Sequence, residues 1–175
     1  MQSADPAMPP QDPTVASFGS RLFRPILAGA TLGRRALACL GAIVGIALTG
    51  LVAALVTGHG ALLPLIVAPI GASAVLVFAV PASPLAQPWP VIGGNTLSAL
   101  VGIAVARLVH DPVLATGLAV GLAIAVMSLT RSLHPPGGAA APPAVIGGAA
   151  VTRAGFWFPL VPVAINSLIL VGVGM

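Results

Sequence analysis

This chain of 175 residues contains no lysine, no glutamate and no tyrosine, and only 6% of its residues are charged. A soluble domain needs a larger share of polar and charged residues to cover its surface. Hydrophobic residues make up 58% of the chain. The composition therefore excludes an ordinary soluble domain and predicts an all-α polytopic membrane protein.

The scarcity of charge also excludes several function classes. The net charge of +4 comes from scattered arginines, without the basic stripe or interleaved aromatic residues of a nucleic-acid interface. Cys39 is the only cysteine, which excludes an intramolecular disulfide and a cysteine-rich metal site. The chain also lacks a nucleophile–base pair and His-x-x-x-His spacing. We therefore expect no enzyme activity, no cofactor, no metal and no nucleic-acid partner.

The start of the chain differs in composition from the rest. Residues 1–34 are predicted to form a disordered basic tail with a juxtamembrane segment, and residues 35–175 a transmembrane domain. Four arginines between positions 21 and 35 precede the first apolar run. Positive charge is enriched on the cytoplasmic side of membranes. The expected location is thus a bacterial plasma (inner) membrane, with a cytoplasmic N-terminus.

Five apolar segments approach the roughly 20 residues that a helix needs to cross a bilayer. They are 36–57, 61–80, 91–109, 113–130 and 156–174. The stretch 135–151 is apolar too, but Pro135, Pro136 and other prolines and glycines interrupt it. Proline removes a backbone donor and glycine weakens a helix. We predict five full transmembrane helices plus one broken segment, which either re-enters the membrane or spans it.

An internal repeat is one interpretation of this layout. Residues 69–74 resemble 135–140, and each stretch is followed by Val-Ile-Gly-Gly, at 91–94 and 145–148. A 3+3 repeat of inverted topology would bring paired broken helices together at a midplane substrate site. Chance similarity in a sequence rich in Ala, Gly and Pro is the alternative.

The two Pro-Gly interruptions form the candidate substrate-binding site. Gly137 and Gly138 in one, and Gly71 and Ser73 in the other, are predicted to open half-helices. The free N–H groups and the dipole of a helix N-terminus attract anions. His134 stands just before one interruption, where it is expected to donate a hydrogen bond to an anion or to supply a proton. The alternative for His134 is a turn cap at the membrane interface.

Other polar residues have both functional and structural interpretations. Asn95 is a neutral hydrogen-bond partner for a substrate or a link between helices, and the same holds for Gln87. Arg107 is predicted to pair with Asp111 four residues later, with attraction of an anion as its alternative role. Glycine pairs spaced four apart, 41 with 45 and 117 with 121, allow close helix packing or a homo-oligomer.

Several ordered motifs together resemble the HPP integral-membrane family. They are Gly71-Ala72-Ser73, Ser83-Pro84-Leu85-Ala86-Gln87-Pro88, Gly93-Gly94-Asn95 with Ser98-Ala99, and Met127 through Thr130-Arg131 to His134-Pro135-Pro136-Gly137-Gly138-Ala139. The resemblance covers roughly residues 64–158. It implies motif positions at Gln87, Arg131, Pro135 and Pro136.

Some relatives in that family are associated with nitrite transport, so the resemblance implies a carrier or channel for nitrite or a similar small anion. The expected partners are that anion and membrane lipid. Ala140 stands where the family often has threonine, which leaves the substrate open. The chain stops at Met175, so we expect no C-terminal regulatory domain of CBS type. A non-transporting membrane scaffold or assembly protein, and a transporter of another small solute, are the alternatives.

Overall fold

The computed structural model describes residues 31–57 and 63–175, and its regular structure there is entirely helical. Helix α1 is Leu32–Thr57, and α2 is Leu63–Ala74, which continues as a π-helical turn, Val75–Ala79. They are followed by α3 (Pro88–Leu108), α4 (Pro112–Leu129), α5 (Pro135–Gly138), α6 (Ala141–Ile146) and α7 (Gly148–Ala154). A π-helical stretch, Pro159–Ala164, leads into α8, Ile165–Gly174. The all-α prediction is confirmed for the described residues.

The number of full spans is smaller than the sequence predicted. Within 31–57 and 63–175, three helices are long and apolar enough to cross a membrane: Leu32–Leu55, Pro88–Leu108 and Pro112–Leu129. A fourth span exists only if Gly148–Ala154 and Pro159–Gly174, bent by 91°, count as one. The apolar helix in the predicted segment 61–80 is shorter. The prediction of five full spans is therefore not confirmed.

The predicted domain boundary at residues 34 and 35 falls inside α1, which begins at Leu32. Most of the predicted tail, residues 1–30, lies outside the described residues. The connection at 58–62, which includes His59, lies outside them as well.

Helix α3 is the centre of the bundle because small residues line it. Half of the residues in the most apolar 18-residue stretch of α3 are buried. Gly94 and Gly102 lie where an added Cβ would collide with neighbouring backbone. Helices α1 and α4 are far less buried and turn large apolar side chains such as Leu37 and Leu118 outward. This distribution suits one inner helix surrounded by lipid-facing ones.

The broken segment follows α3 along most of its length. A Cβ on Gly137 would lie 2.8 Å from the carbonyl oxygen of Gly94, and further on the Ala141 carbonyl lies against Gly102. Arg107, at the end of α3, lies over the ring of Phe156. At 1.5 Å per helical residue, the distance from Gly94 to Arg107 is about 20 Å. The segment therefore runs beside α3 without reversing, which favours a broken passage over a re-entrant loop.

Contacts of Val77 and Phe78 show which other helix ends lie near the start of α3. Both residues precede α3 by about ten positions in the chain. Phe78 packs where Gly41 and Gly45 leave space near the middle of α1, and Val77 packs against Gly174. Ala42 of α1 packs in the same hydrophobic cluster as Val91 near the start of α3, whereas Ala53, further along α1, packs with Ile103. The beginning of α1 and the end of α8 therefore lie at the same end of the bundle as the start of α3.

The motifs that suggested a repeat adopt different local structures. Pro69 lies inside α2, whereas Pro135 begins α5 after an extended residue. Residues 91–94 belong to the long helix α3, whereas 145–148 span the junction between α6 and α7. The local equivalence of the motifs is therefore wrong.

Candidate functional site

A sharp turn after α4 determines the position of the His134 side chain. Two residues after the end of α4, Arg131 has a φ of 56°, and the N–H of Ser132 donates to the Met127 carbonyl at 2.9 Å. This is the Schellman arrangement, which reverses a chain sharply after a helix. The following Pro135 disfavours helical backbone at the residue before it, and His134 is extended. The turn thereby directs the imidazole into the bundle, where it is fully buried.

Both ring nitrogens of His134 have partners. Nδ1 lies 2.7 Å from the backbone carbonyl of Leu85, and Nε2 lies 2.8 Å from Oγ of Ser73. A carbonyl oxygen only accepts hydrogen bonds, so Nδ1 must donate. In the neutral ring, Nε2 is therefore the acceptor, which fixes the tautomer.

The loop that presents the Leu85 carbonyl is held by its own polar side chains. Oγ of Ser83 accepts from the Leu85 N–H at 3.2 Å. Gln87 donates from Nε2 to the carbonyls of Pro81 and Ser83, each at 3.3 Å. Gln87 is exposed, and its hydrogen bonds shape its own loop, whereas the structural interpretation predicted a link between helices.

Two further hydrogen bonds connect His134 to the last helix. Asn95 donates from Nδ2 to Oγ of Ser73 and to Oγ of Ser167, each at 3.1 Å. His134, Ser73, Asn95 and Ser167 are all fully buried. We call these four residues the buried polar cluster. It links α2, α3, α8 and the turn before α5.

Several buried polar atoms on α3 and α8, the helices that carry Asn95 and Ser167, lack partners among the described residues. They are Oδ1 of Asn95, the hydroxyls of Thr96 and Ser98, and both side-chain polar atoms of Asn166. A buried polar group without a partner costs about 1–3 kcal/mol. Such atoms in a membrane helix face a bound molecule or water more often than hydrocarbon.

Burial also affects the titration of His134, which lies in a connection outside the long helices. Desolvation lowers the pKa of His134 below its ordinary value, and the hydrogen bond to the Leu85 carbonyl partly opposes this effect. The neutral ring is thus favoured when the site holds no other charge.

Three predicted site residues come together and three do not. Ser73, Asn95 and His134 meet in the cluster. Gly71 lies in the interior of α2, so no half-helix opens there. The Gly137 N–H donates to the His134 carbonyl at 2.8 Å, and Gly138 ends the four-residue α5. The predicted cradle of free N–H groups is therefore wrong: Pro69 does not end α2, and the turn itself uses the Gly137 donor.

Gly94 and Gly137 are the motif glycines at which the chain packs most closely. A Cβ on Gly94 would lie 2.7 Å from both Cβ of His134 and the Ser132 carbonyl oxygen. The α3 backbone and the His134 turn can approach this closely because residue 94 has no side chain. Pro136 is buried at the start of α5, where its missing N–H is not needed.

The predicted Arg107–Asp111 pair is also wrong. Arg107 lies 4.6 Å from the ring centroid of Phe156, and Asp111 instead caps α4, with Oδ1 accepting from the Leu114 N–H at 2.7 Å. Within the described part of the chain, no ion pair joins the two. Helix α3 ends before Asp111 is reached, so the helical spacing that the pair needs is absent.

Sequence reasoning missed Asn166 and Ser167. The available signal was two adjacent polar residues in an otherwise apolar final segment. Asn166 is 1% exposed, and no described side chain satisfies its amide. Among the residues that the structure describes, no group of three or more His, Cys, Asp or Glu is arranged to hold a metal ion.

Comparison with known proteins identifies relatives of this architecture. A family model described as "HPP, transmembrane region" matches residues 28–175. Two transmembrane proteins of Dictyostelium discoideum are similar to the chain. One is 48% identical over 103 residues, covering 57% of this chain and 36% of the relative. The other is 46% identical over 101 residues, covering 55% and 32%. The chain thus matches about a third of each relative's length. No solved structure matches it.

Proposed function

Because this chain belongs to the HPP transmembrane family, we propose that it is a membrane transporter of a small inorganic anion, most specifically nitrite. The proposed pathway passes the buried polar cluster. This role needs neither catalysis nor a cofactor. The relatives' names identify them only as transmembrane proteins, so the substrate is inferred from the chemistry of the cluster and from the family resemblance.

The observation that carries the proposal is a set of fully buried polar side chains with unused hydrogen-bonding capacity. The amide of Asn166 and the hydroxyl of Ser98 lack partners among the described residues. Donors of this kind replace part of the hydration shell of a small anion. Without a ligand or water, their burial would only destabilise the fold.

The buried polar cluster contains no permanently charged side chain, as expected of a pathway that binds an anion weakly. No arginine belongs to it, and Arg107 is held over Phe156 at the end of α3. Uncharged donors lower the barrier for an anion without holding it as firmly as a buried cation would. Weak binding suits release on the far side.

We also propose a bacterial plasma (inner) membrane with the N-terminus in the cytoplasm. Arg34, Arg35 and Arg131 lie at the end of the bundle where α3 starts, whereas Arg107 and Arg153 lie at the other end. Short cytoplasmic connections carry the larger share of arginine in membrane proteins. This arginine distribution supports the orientation.

A membrane scaffold is the second candidate. Gly117 and Gly121 on α4 leave open space around their backbone, as a packing face for another helix would. Under that function, His134→Ala would leave activity intact, whereas larger residues at these glycines would abolish it.

The test is nitrite uptake by proteoliposomes containing the purified chain, with the rate of empty liposomes subtracted because nitrous acid permeates lipid. We expect protein-dependent uptake that falls at least about tenfold in His134→Ala. This variant loses the hydrogen bonds that join Ser73 to the Leu85 loop, and one lost hydrogen bond worth about 1.4 kcal/mol has an effect of that size. His110→Ala, at an exposed connection, is the matched control and should transport normally. No uptake of nitrite, nitrate or formate would contradict the proposal.

A further inference from the structure

Oγ of Ser73 has three polar neighbours: the Pro69 carbonyl at 3.1 Å, Nε2 of His134 at 2.8 Å and Nδ2 of Asn95 at 3.1 Å. A serine hydroxyl has one hydrogen to donate and two lone pairs to accept with. How the three contacts are satisfied therefore depends on the protonation of His134.

When the His134 ring is neutral, one of the three contacts of the Ser73 hydroxyl cannot be a full hydrogen bond. Nδ1 carries the ring hydrogen because it faces the Leu85 carbonyl, so Nε2 needs the hydrogen of Ser73. The Pro69 carbonyl, 3.1 Å away, is the second acceptor within reach of that hydrogen. A single hydroxyl hydrogen cannot serve both acceptors at full strength.

With a protonated ring, all three contacts are served. Nε2 of His134 and Nδ2 of Asn95 then both donate to the Ser73 oxygen, and the Ser73 hydroxyl donates to the Pro69 carbonyl. Nδ1 still donates to Leu85. The hydrogen-bond geometry of the cluster is therefore complete for an imidazolium.

The described surroundings provide no negative charge to balance that imidazolium. The elements packed against the turn are α2, α3, α4 and α6 together with the Leu85 loop. The polar groups that face the ring are the Leu85 carbonyl and the Ser73 hydroxyl. The only acidic side chain among the described residues, Asp111, caps the far end of α4. Arg107 on α3 is also at that end, and Arg131 is exposed.

A buried charge without a partner is strongly disfavoured. We propose that His134 takes up one proton together with each anion that binds beside the cluster, so that anion and proton cross the membrane as an electrically neutral unit. The proton comes from solution onto Nε2 and leaves again when the anion leaves. This inference rests on the proposed function, because the anion is its substrate.

Coupling of this kind is reciprocal: if a proton favours anion binding, the anion must favour the proton equally. Above the pKa of His134, anion affinity should rise about tenfold for each unit that the pH falls, and it should level off below that pKa.

The first test measures binding and does not depend on transport. The full chain, with isotope-labelled histidine, is titrated with acid in lipid nanodiscs and followed by NMR. One titration contains formate and the other contains gluconate, a much larger anion. We expect formate to raise the pKa of His134 and to leave His110 unchanged. His134→Gln assigns the resonance. An unchanged His134 titration in formate would overturn the proposal.

The second test measures charge movement in proteoliposomes whose membrane potential is set with potassium and valinomycin. We expect the protein-dependent nitrite uptake to be the same at either sign of the potential, with one proton taken up per anion. Uptake that follows the potential would overturn the coupling and leave the proposed function standing. No uptake, together with a formate-dependent His134 pKa, would support coupled binding and contradict transport. Failure of both tests would overturn both proposals.

Discussion

Nδ1 of His134 donates a 2.7 Å hydrogen bond to the backbone carbonyl of Leu85, 49 residues earlier in the chain. This bond fixes which ring nitrogen faces the cluster. The Leu85 loop, which Gln87 and Ser83 hold in shape, therefore controls the chemistry of a side chain that it does not itself carry.

The close approach of α3 to the His134 turn gives the first prediction. Gly94→Ala should lower the free energy of unfolding by about 1–3 kcal/mol, because the new methyl group overpacks against His134 and Ser132. Gly117→Ala is the matched control: nothing lies within 4 Å of the added Cβ. It should leave stability unchanged or raise it by up to about 1 kcal/mol. Thermal unfolding of both variants in detergent measures the difference, and equal stability would contradict the packing described here.

Arg131 gives a second prediction because its φ of 56° is unfavourable for a residue with a side chain. Arg131→Gly should raise the free energy of unfolding by about 1 kcal/mol, and Arg131→Val should lower it. Chemical or thermal unfolding of the two variants provides the measurement. If glycine destabilised the chain, the arginine side chain rather than the turn would be what matters at this position.

The buried ring predicts how stability depends on pH. The pKa of His134 is lower in the folded protein than in the unfolded chain, so the folded state favours the neutral ring. Its stabilising contribution is present above the unfolded pKa, near 6.5, and is lost as the pH falls from there towards the folded pKa. In the absence of a small anion, the unfolding midpoint should fall as the pH is lowered from neutral to mildly acidic. This decrease in the unfolding midpoint should be smaller in His134→Gln than in the unaltered chain, and His110→Gln should show the same decrease as the unaltered chain.

The course of the broken segment predicts the sidedness of two positions. Arg131 and Arg153 lie at opposite ends of the passage beside α3. Cysteines placed there in a Cys39→Ser background should react with an impermeant maleimide from opposite sides of sealed vesicles. Labelling of both from the same side would contradict the passage and restore the re-entrant model.

The sequence predicted individual polar residues of this site but not the contacts between them. His134, Ser73 and Asn95 are polar residues in apolar surroundings, and membrane burial makes such residues conspicuous. Their meeting in one cluster depends on tertiary packing across 61 residues between Ser73 and His134, which no local pattern encodes. Asn166 carried the same signal and was overlooked in the final segment.

The errors came from treating proline and glycine as breaks wherever they occur. Pro69 lies inside α2, because tertiary packing can override a local helix preference. Gly137 packs against the backbone of Gly94, and its N–H donates to the His134 carbonyl. Arg107 has its partner in Phe156, a residue distant in the sequence, so the local i to i+4 rule pointed to the wrong neighbour.

The chain has only two asparagines. Asn95 belongs to the cluster, Asn166 precedes Ser167 of the cluster, and the side chains of both asparagines have unpartnered atoms. Selective labelling of the asparagine carboxamide carbon therefore reports on this site alone. The decisive measurement is the solid-state NMR dipolar coupling between that carbon and ¹⁵N-nitrite bound to the chain in lipid. We predict a coupling to at least one carboxamide that disappears when unlabelled nitrite is added in excess. Protein-dependent nitrite uptake without any such coupling would contradict a pathway past the buried polar cluster.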